Sequence, residues 1–508
     1  MKNLSTTKVV SLTLITVIVL AVAYFLTSRY FPFEPDVANS PLVWRGFLSE
    51  GFSVLTDWKP TPDSWYFTVY PINFIFFILT GNDGQLPLVL STALFVGLSA
   101  LILSGVIYNI KHSNSAWLAA ACLTLLPAYS YVHGFLAHPF SHYSTHFFGV
   151  LVFALCLYNL KKNSFGLAAI ATLLSLLAAV SDPWFKVCYF LPLLLVQIYY
   201  AWQKVIEKKI PILYGVFFLL AMNNAIPRWM HWPIQHFELL PMDMWLANAK
   251  WVLLLVGRSM NLFFIDNSLT AITSFIIWAV LIIYAFFICV KQQRETRFFA
   301  LFSLLTIAGI ISSFIISYDS ADYSSARFFV NATSFGIALC VLSLSLQRNP
   351  ILIAVLLLFC ASSLYSYTQD QPPLADRRQE TLSYMDFLQQ HNLSFGYGSY
   401  WMVANNVNWL SAGKIHINSI LFDQQTHRID FGSIRSQTMK SWLRDPFIAQ
   451  SPGRQFVAFT TARNAEQCAE LQPCLDAVTE QLGKPDEQLQ YLDTVIYVYN
   501  HRIYPPSL

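Results

Sequence analysis

Glu34 and Asp36 stand two residues apart on either side of Pro35, just beyond the first long apolar run of the chain. Pro35 fixes its own φ and pushes Glu34 towards extended backbone, and positions two apart in an extended segment face the same side. Both carboxylates can then point into one cavity. There they suit a divalent ion held between them, or one raises the pKa of the other so that it works as a general base on a hydroxyl. Asp36 is the preferred base and Glu34 its partner. The alternative is a solvated acidic loop, since the same stretch also carries Glu50, Asp57 and Asp63.

Three further groups could do chemistry. Asp182 sits in SDPWF, a short turn between two apolar runs, where it reads equally as a helix cap and as a second catalytic acid. His142 and His146 in SHYSTH are four apart on one helical face. That spacing fits a shared metal, but more commonly such residues make buried hydrogen bonds, and no metal site is assigned. The segment YDSADYSSARFF gathers Asp319, Asp322 and Arg327 at the mouth of another apolar run. Arginine there suits a phosphate through paired charge-assisted bonds, or it simply snorkels at a span end. Arg228 is the other cation of this kind.

The elements that must position these residues are apolar. Apolar side chains make up 55% of the 508 residues and charged ones only 12%, about half the usual globular share. Repeated apolar runs with short polar breaks are what a bilayer demands of helices. Spans are expected near 9–28, 86–110, 115–134, 141–160, 165–181, 185–203, 210–226, 269–290, 298–317, 328–346 and 350–368. The first is too long for a signal-peptide core and reads as a retained span. Residues 65–80 are also apolar, but Trp65, Tyr66 and Tyr70 favour an interfacial or re-entrant helix.

The connecting segments sort by charge. One set is short and basic, with Lys2, Lys8, Lys111, Lys161, Lys162, Lys204, Lys208, Lys209, Lys291, Arg294, Arg297 and Arg348 against two acids, Glu207 and Glu295. By the positive-inside rule these lie in the cytoplasm. The N-terminus is therefore inside and, with about eleven spans, the C-terminus outside. The fold expected is an all-α polytopic membrane bundle followed by a small C-terminal α/β extracytoplasmic domain. Residues 1–368 form the membrane domain, with outward loops 29–85 and 227–268, and residues 369–508 form the outer one.

That tail has ordinary polarity. Its helix candidates are 377–391 and 465–482, and its strand candidates 394–397, 414–417, 456–460 and 494–499. Cys468 and Cys474, in CAELQPC, either form a local disulfide in an oxidising compartment or remain two thiols on one helix. The other six cysteines fall within spans, where cysteine is a small apolar residue. No glycine-rich nucleotide loop or basic nucleic-acid stripe occurs, so no nucleic-acid partner is expected.

Together these features resemble the GT-C superfamily of integral-membrane glycosyltransferases: a first span, an outward loop with the acidic EPD motif at 34–36, a many-helix body and an outward C-terminal domain. The tail segment FGYGSYWMVANNVNWLSAGKI is similar to segments that follow the last span in bacterial members of that group. The resemblance implies a sugar moved from a polyprenyl-phosphate donor to a glycan or lipid-linked acceptor at the outer face of a bacterial inner membrane. It implies Asp36 or Glu34 as base, with Asp182 as a further catalytic candidate. Arg327 or Arg228 would contact the phosphate, and Asp319, Asp322, Tyr400 and Trp401 would line the substrate. No cofactor is required, although a divalent cation, Mg or Mn, is compatible with the paired acids. The WWD motif of oligosaccharyltransferases is missing, which argues against protein N-glycosylation. The rival readings are a transporter or flippase of such glycans, and a lipopolysaccharide ligase or polymerase. Transporters usually carry internal repeats and midplane charges, and neither occurs here.

Overall fold

A computed structural model describes residues 6–138, 142–369, 371–460, 468 and 470–505. Lys2 and part of the second tail-helix candidate, 465–467 and 469, lie outside them. The chain divides into two compact units, one of Met1–Phe31, Pro62–Trp229 and Ile234–Leu374, the other of Pro32–Thr61, Met230–Pro233 and Ala375–Leu508.

The first unit is helical. Among the described residues, six of its helices are long and apolar enough to cross a membrane: Val10–Tyr30, Gln85–Lys111, His142–Lys162, Ser268–Val290, Arg294–Ser317 and Tyr323–Leu344. Shorter apolar helices occupy Ser115–Thr124, Phe165–Ser181, Lys186–Trp202, Lys209–Met222 and Pro350–Ser366. Each expected span therefore coincides with a helix, six of them at spanning length. The helix at Tyr70–Thr80 has 11 residues, about 16 Å at the helical rise, well short of the ~30 Å hydrocarbon core.

Local chemistry sets the ends of these helices. Asn267 and Thr270 form a reciprocal capping box before Ser268–Val290. Asn349 caps Pro350–Ser366, whose first residue is proline, the position where the missing N–H costs nothing. Gly81, at φ 67°, closes the helix that ends at Thr80 in the left-handed conformation glycine tolerates best. Gly257 lets the helix Met242–Ser259 approach Ser268–Val290 closely, because any Cβ there would strike the Ala271 carbonyl.

Among the described residues, the second unit has seven strands: β1 (Trp58–Lys59), β2 (Phe395–Gly398), β3 (His416–Ser419), β4 (Thr438–Met439), β5 (Gln455–Thr460), β6 (Glu487–Tyr491) and β7 (Thr494–Tyr499). Five of them form one sheet in the order β3-β2-β5-β7-β6, parallel through β3, β2 and β5 and antiparallel beyond. Successive side chains of a strand face opposite ways. Accordingly Val457 and Phe459 of β5 join Leu475 and Val478 in one core. Phe456 and Ala458 join Tyr384 and Leu388 in the other. The helices Leu471–Leu482 and Arg378–Gln390 thus contribute to opposite cores. Four of these strands match the sequence candidates within two residues. β6 does not, because it is a polar edge strand with alternate side chains exposed.

The loop segment 32–61 belongs to this unit. β1 pairs antiparallel with β4, Trp58 opposite Met439. Phe33 donates its amide to Ala375 and accepts from the Arg377 amide, at 2.7 and 3.1 Å. Cys468 and Cys474 are joined as a disulfide, their Cα atoms 6.0 Å apart, inside the usual bridging range. Cys474 lies on the helix Leu471–Leu482 and Cys468 precedes it, so the two do not share one helix.

Candidate functional site

In the unit containing the sheet, the acidic motif is held from several directions. The Phe33 ring stacks on Trp409 with centroids 5.3 Å apart. The Arg45 guanidinium donates to the carbonyls of Asn408 and Trp409, each at 3.0 Å. Glu34 is extended, at φ −138° and ψ 165°, as the following proline requires. The extension stops there. Pro35–Ala38 is one turn of 3₁₀ helix, so Asp36 is not on a strand face with Glu34. Proline at the first helical position is compatible with that turn, which the two-apart argument did not anticipate. The two carboxylates nonetheless approach within 4.8 Å of each other, a separation that suits a hard divalent cation with oxygen ligands.

Asp36 is buried, and its Oδ1 accepts from the Tyr400 hydroxyl at 2.8 Å and from Gln437 Nε2 at 3.0 Å. Burial, and then the adjacent Asp36 charge, push the Tyr400 hydroxyl well above its ordinary range. It therefore stays protonated and donates. Its oxygen also lies 3.4 Å from Asn39 Oδ1. The Arg435 guanidinium sits 3.9 Å above the Tyr400 ring and 5.9 Å from that of Trp401, a cation–π arrangement. Gln437 adopts φ 65°, a left-handed conformation uncommon outside glycine and of the kind found where a site is over-determined by its surroundings.

Tyr400 is thus fully buried with its hydroxyl on Asp36. Arg435, Gln437 and Asn39 were not expected from the sequence. Nothing in a lone polar residue 401 positions from its partner signals the contact.

In the helical unit, Asp182 is a hub rather than a simple cap. It follows the helix Phe165–Ser181, and its Oδ1 accepts from the Trp184 amide at 2.9 Å. Its Oδ2 accepts from Thr145 Oγ1 at 2.5 Å and lies 2.9 Å from His142 Nδ1. Burial works against ionisation, but His142, Thr145 and the Trp184 amide outweigh it and hold the carboxyl below its ordinary value. His146 bonds instead to the Tyr189 hydroxyl at 2.8 Å. The two histidines therefore have separate partners.

Beside this turn lies a cavity of about 380 Å³, with Trp184, Val187, Met222, Phe237, Leu239 and Ile316 among its walls. Lys186 lines it too, only 7% exposed. Its ammonium donates to Asn224 Oδ1 at 2.8 Å, and among the described residues it forms no ion pair. Sequence reasoning passed over Lys186, because a lysine at the start of an apolar run looks like a snorkelling residue.

The expected phosphate contacts look different. Arg327 bonds to the carbonyl and hydroxyl of Ser324, at 3.0 and 2.8 Å, and lies 4.8 Å from the Phe328 ring. Asp322 caps the same turn through Ser325, and Asp319 is exposed with its carboxylate on Ser320. Arg228 is exposed on the short helix Ala225–Trp229.

The fold so described is found again among solved structures. ArnT from Cupriavidus metallidurans, solved in the apo state, matches 97% of this chain and 98% of its own at 11% identity, with a TM-score of 0.55. The archaeal oligosaccharyltransferase AglB from Archaeoglobus fulgidus, in complex with an inhibitory peptide and a dolichol-phosphate, matches 87% of this chain and 69% of its own at 10% identity, with a TM-score of 0.44. No family model matches the sequence, and no curated relative does.

Proposed function

We propose that the chain is a membrane glycosyltransferase that takes its sugar from a polyprenyl-phosphate donor and passes it to a glycan or lipid-linked acceptor outside the cytoplasm of a bacterium. The observation that carries the reading is Lys186: a buried ammonium lining a mainly apolar cavity, with a neutral amide as its bonded partner. Burying a lysine without a bonded counter-charge is costly, so the site favours an anion. Glu238 and His236 also line the cavity, but its walls are mainly apolar, which suits a prenyl chain ending in phosphate, whose burial contributes about 0.8 kcal/mol per CH₂.

The chemistry assigned to this chain is a displacement at the sugar C1. The acceptor hydroxyl gives its proton to a carboxylate, the new C–O bond forms, and the bond from C1 to the phosphate oxygen breaks. The leaving lipid phosphate keeps the electron pair. Asp36 is the carboxylate proposed as base, held in one orientation by Tyr400 and Gln437, with Glu34 as its partner. A divalent ion between Glu34 and Asp36 would supply Lewis-acid stabilisation when bound. Asp182 is then a positioning residue for the turn that carries Trp184 and Lys186. Arg327 and Arg228 remain alternative phosphate contacts. In this reading residues 369–508 lie on the outer side, which the charge asymmetry of the loops supports.

The test is reconstitution in proteoliposomes with radiolabelled polyprenyl-phosphate sugars and a cell-envelope glycan fraction. Label should move to the acceptor. Movement of intact donor across the bilayer without transfer would overturn the enzyme reading and identify a transporter.

A further inference from the structure

Cys122 and Cys360 stand 238 residues apart in sequence, yet their Sγ atoms lie 3.4 Å from each other. Cys122, on the helix Ser115–Thr124, is fully buried, whereas Cys360, on the helix Pro350–Ser366, is partly exposed. Leu357 and Leu364 are 57% and 52% exposed. They stand three residues before and four after Cys360, so all three share the open face of that helix. Beyond the sulfurs the same two segments are tied again. Ser366 Oγ accepts from the Ala128 amide at 2.9 Å, and the Tyr367 hydroxyl donates to the Leu126 carbonyl. Among the described residues no other two free cysteines are in sulfur contact; Cys156 meets the Tyr214 hydroxyl instead. A disulfide holds its sulfurs about 2.05 Å apart, so a closure of about 1.4 Å brings this pair to bonding distance.

From this contact we infer that the helical unit carries a reversible oxidation site, at which a peroxide joins Cys360 to Cys122. Hydrogen peroxide is small and uncharged, so an apolar helix face does not exclude it. The open thiol of Cys360 reacts first. Its sulfur attacks one peroxide oxygen, the O–O bond breaks, and the departing hydroxide takes the thiol proton as water, leaving a sulfenic acid. Cys122 is shielded from peroxide but already touches that sulfur, which is the placement a resolving cysteine needs. Its sulfur attacks the sulfenic sulfur, the S–O bond breaks, and the hydroxyl leaves with the Cys122 proton as a second water. Two thiols have then lost two electrons to the two peroxide oxygens. The new bond links two segments that wall one cavity of about 440 Å³, through Pro127 and Tyr129 on one side and Ser362, Tyr365 and Ser366 on the other. It fixes the spacing of those walls. The inference is independent of the transferase reading, since the thiols need neither donor nor acceptor.

The experiment treats the full-length protein in phosphatidylcholine nanodiscs with hydrogen peroxide, alkylates it with N-ethylmaleimide during denaturation, and digests it without reductant for mass spectrometry. A peptide pair linking Cys122 to Cys360 should rise at least tenfold over the untreated sample and disappear after dithiothreitol. That readout comes from the parent chain and does not depend on any variant folding. In Cys122→Ser the link cannot form, and dimedone should trap the sulfenic acid on Cys360. Cys360→Ser should leave Cys122 open to alkylation. Complete alkylation of both parental thiols after peroxide overturns the inference. So does a link from Cys360 to any other cysteine, or sulfinic acid on Cys360 beside an unlinked Cys122.

Discussion

Tyr400 donates its hydroxyl to Asp36 Oδ1 at 2.8 Å across 364 residues of sequence, and that bond ties the acidic motif of the first loop to the segment after the last apolar helix. If Asp36 is the base, Asp36→Asn keeps the shape and removes the proton acceptor. Turnover should fall by at least about a hundredfold, the usual scale of general-base catalysis. Tyr400→Phe removes only the orienting bond and should cost less, about tenfold, with donor KM unchanged. Parental turnover in Asp36→Asn would place the base elsewhere, and Asp182 would be next.

Lys186→Met keeps length and apolarity while removing the charge. Donor KM should rise at least tenfold, and thermal stability should hold or improve, because a buried ammonium no longer has to be accommodated. Measured beside it, Arg327→Ala should chiefly loosen its own turn. If Arg327→Ala raises donor KM and Lys186→Met does not, the phosphate sits at Arg327.

The Asp182 hub predicts a pH-dependent stability difference. Its carboxyl titrates below the ordinary value in the folded chain. A depressed pKa contributes stability that is present above the unfolded value, near ~3.9, and is lost as pH falls through the folded one. The melting temperature of Asp182→Asn in detergent should therefore lie below that of the parent by a constant amount from pH 5 to 8, equivalent to about 1–3 kcal/mol. The gap should narrow as pH drops below about 4. A gap that widens on acidification would rule the charged hub out.

Loop charge predicts the membrane topology. Reporter fusions after Lys162, Lys209 and Arg297 should report the cytoplasm, and those after Asp63 and Asp243 the far side. A cytoplasmic readout at Asp63 would remove the donor reading, because the proposed acidic motif would then face nucleotide sugars rather than flipped lipid carriers.

Peptide mapping without reductant should recover Cys468 linked to Cys474. Their separation of six residues makes a small loop, so reduction should cost only about 2 kcal/mol in the unit that holds them. Free thiols at both positions in protein purified from an oxidising compartment would contradict the bond.

Much of the architecture was determined by the sequence alone. Runs such as 269–290 are too apolar to be anything but buried or lipid-facing, and a helix is the structure that satisfies their backbone internally. The tail strands at Phe456 and Thr494 were legible because buried strands need dense β-branched and aromatic side chains. β6 was not, because an edge strand needs few of them. The EPD motif announced itself through residue type and position, and Pro35 correctly set Glu34 extended. What proline could not say is that the chain turns into a 3₁₀ helix one residue later, since both conformations share its φ. Only the tertiary structure decided that Asp36 rests on Tyr400 and Gln437, that Asp182 gathers His142 and Thr145, and that Lys186 faces an apolar cavity. Each of those facts is a meeting of residues distant in sequence. Local periodicity encodes which face of an element is apolar, but the identity of the side chain met across the packed interface depends on how whole elements dock.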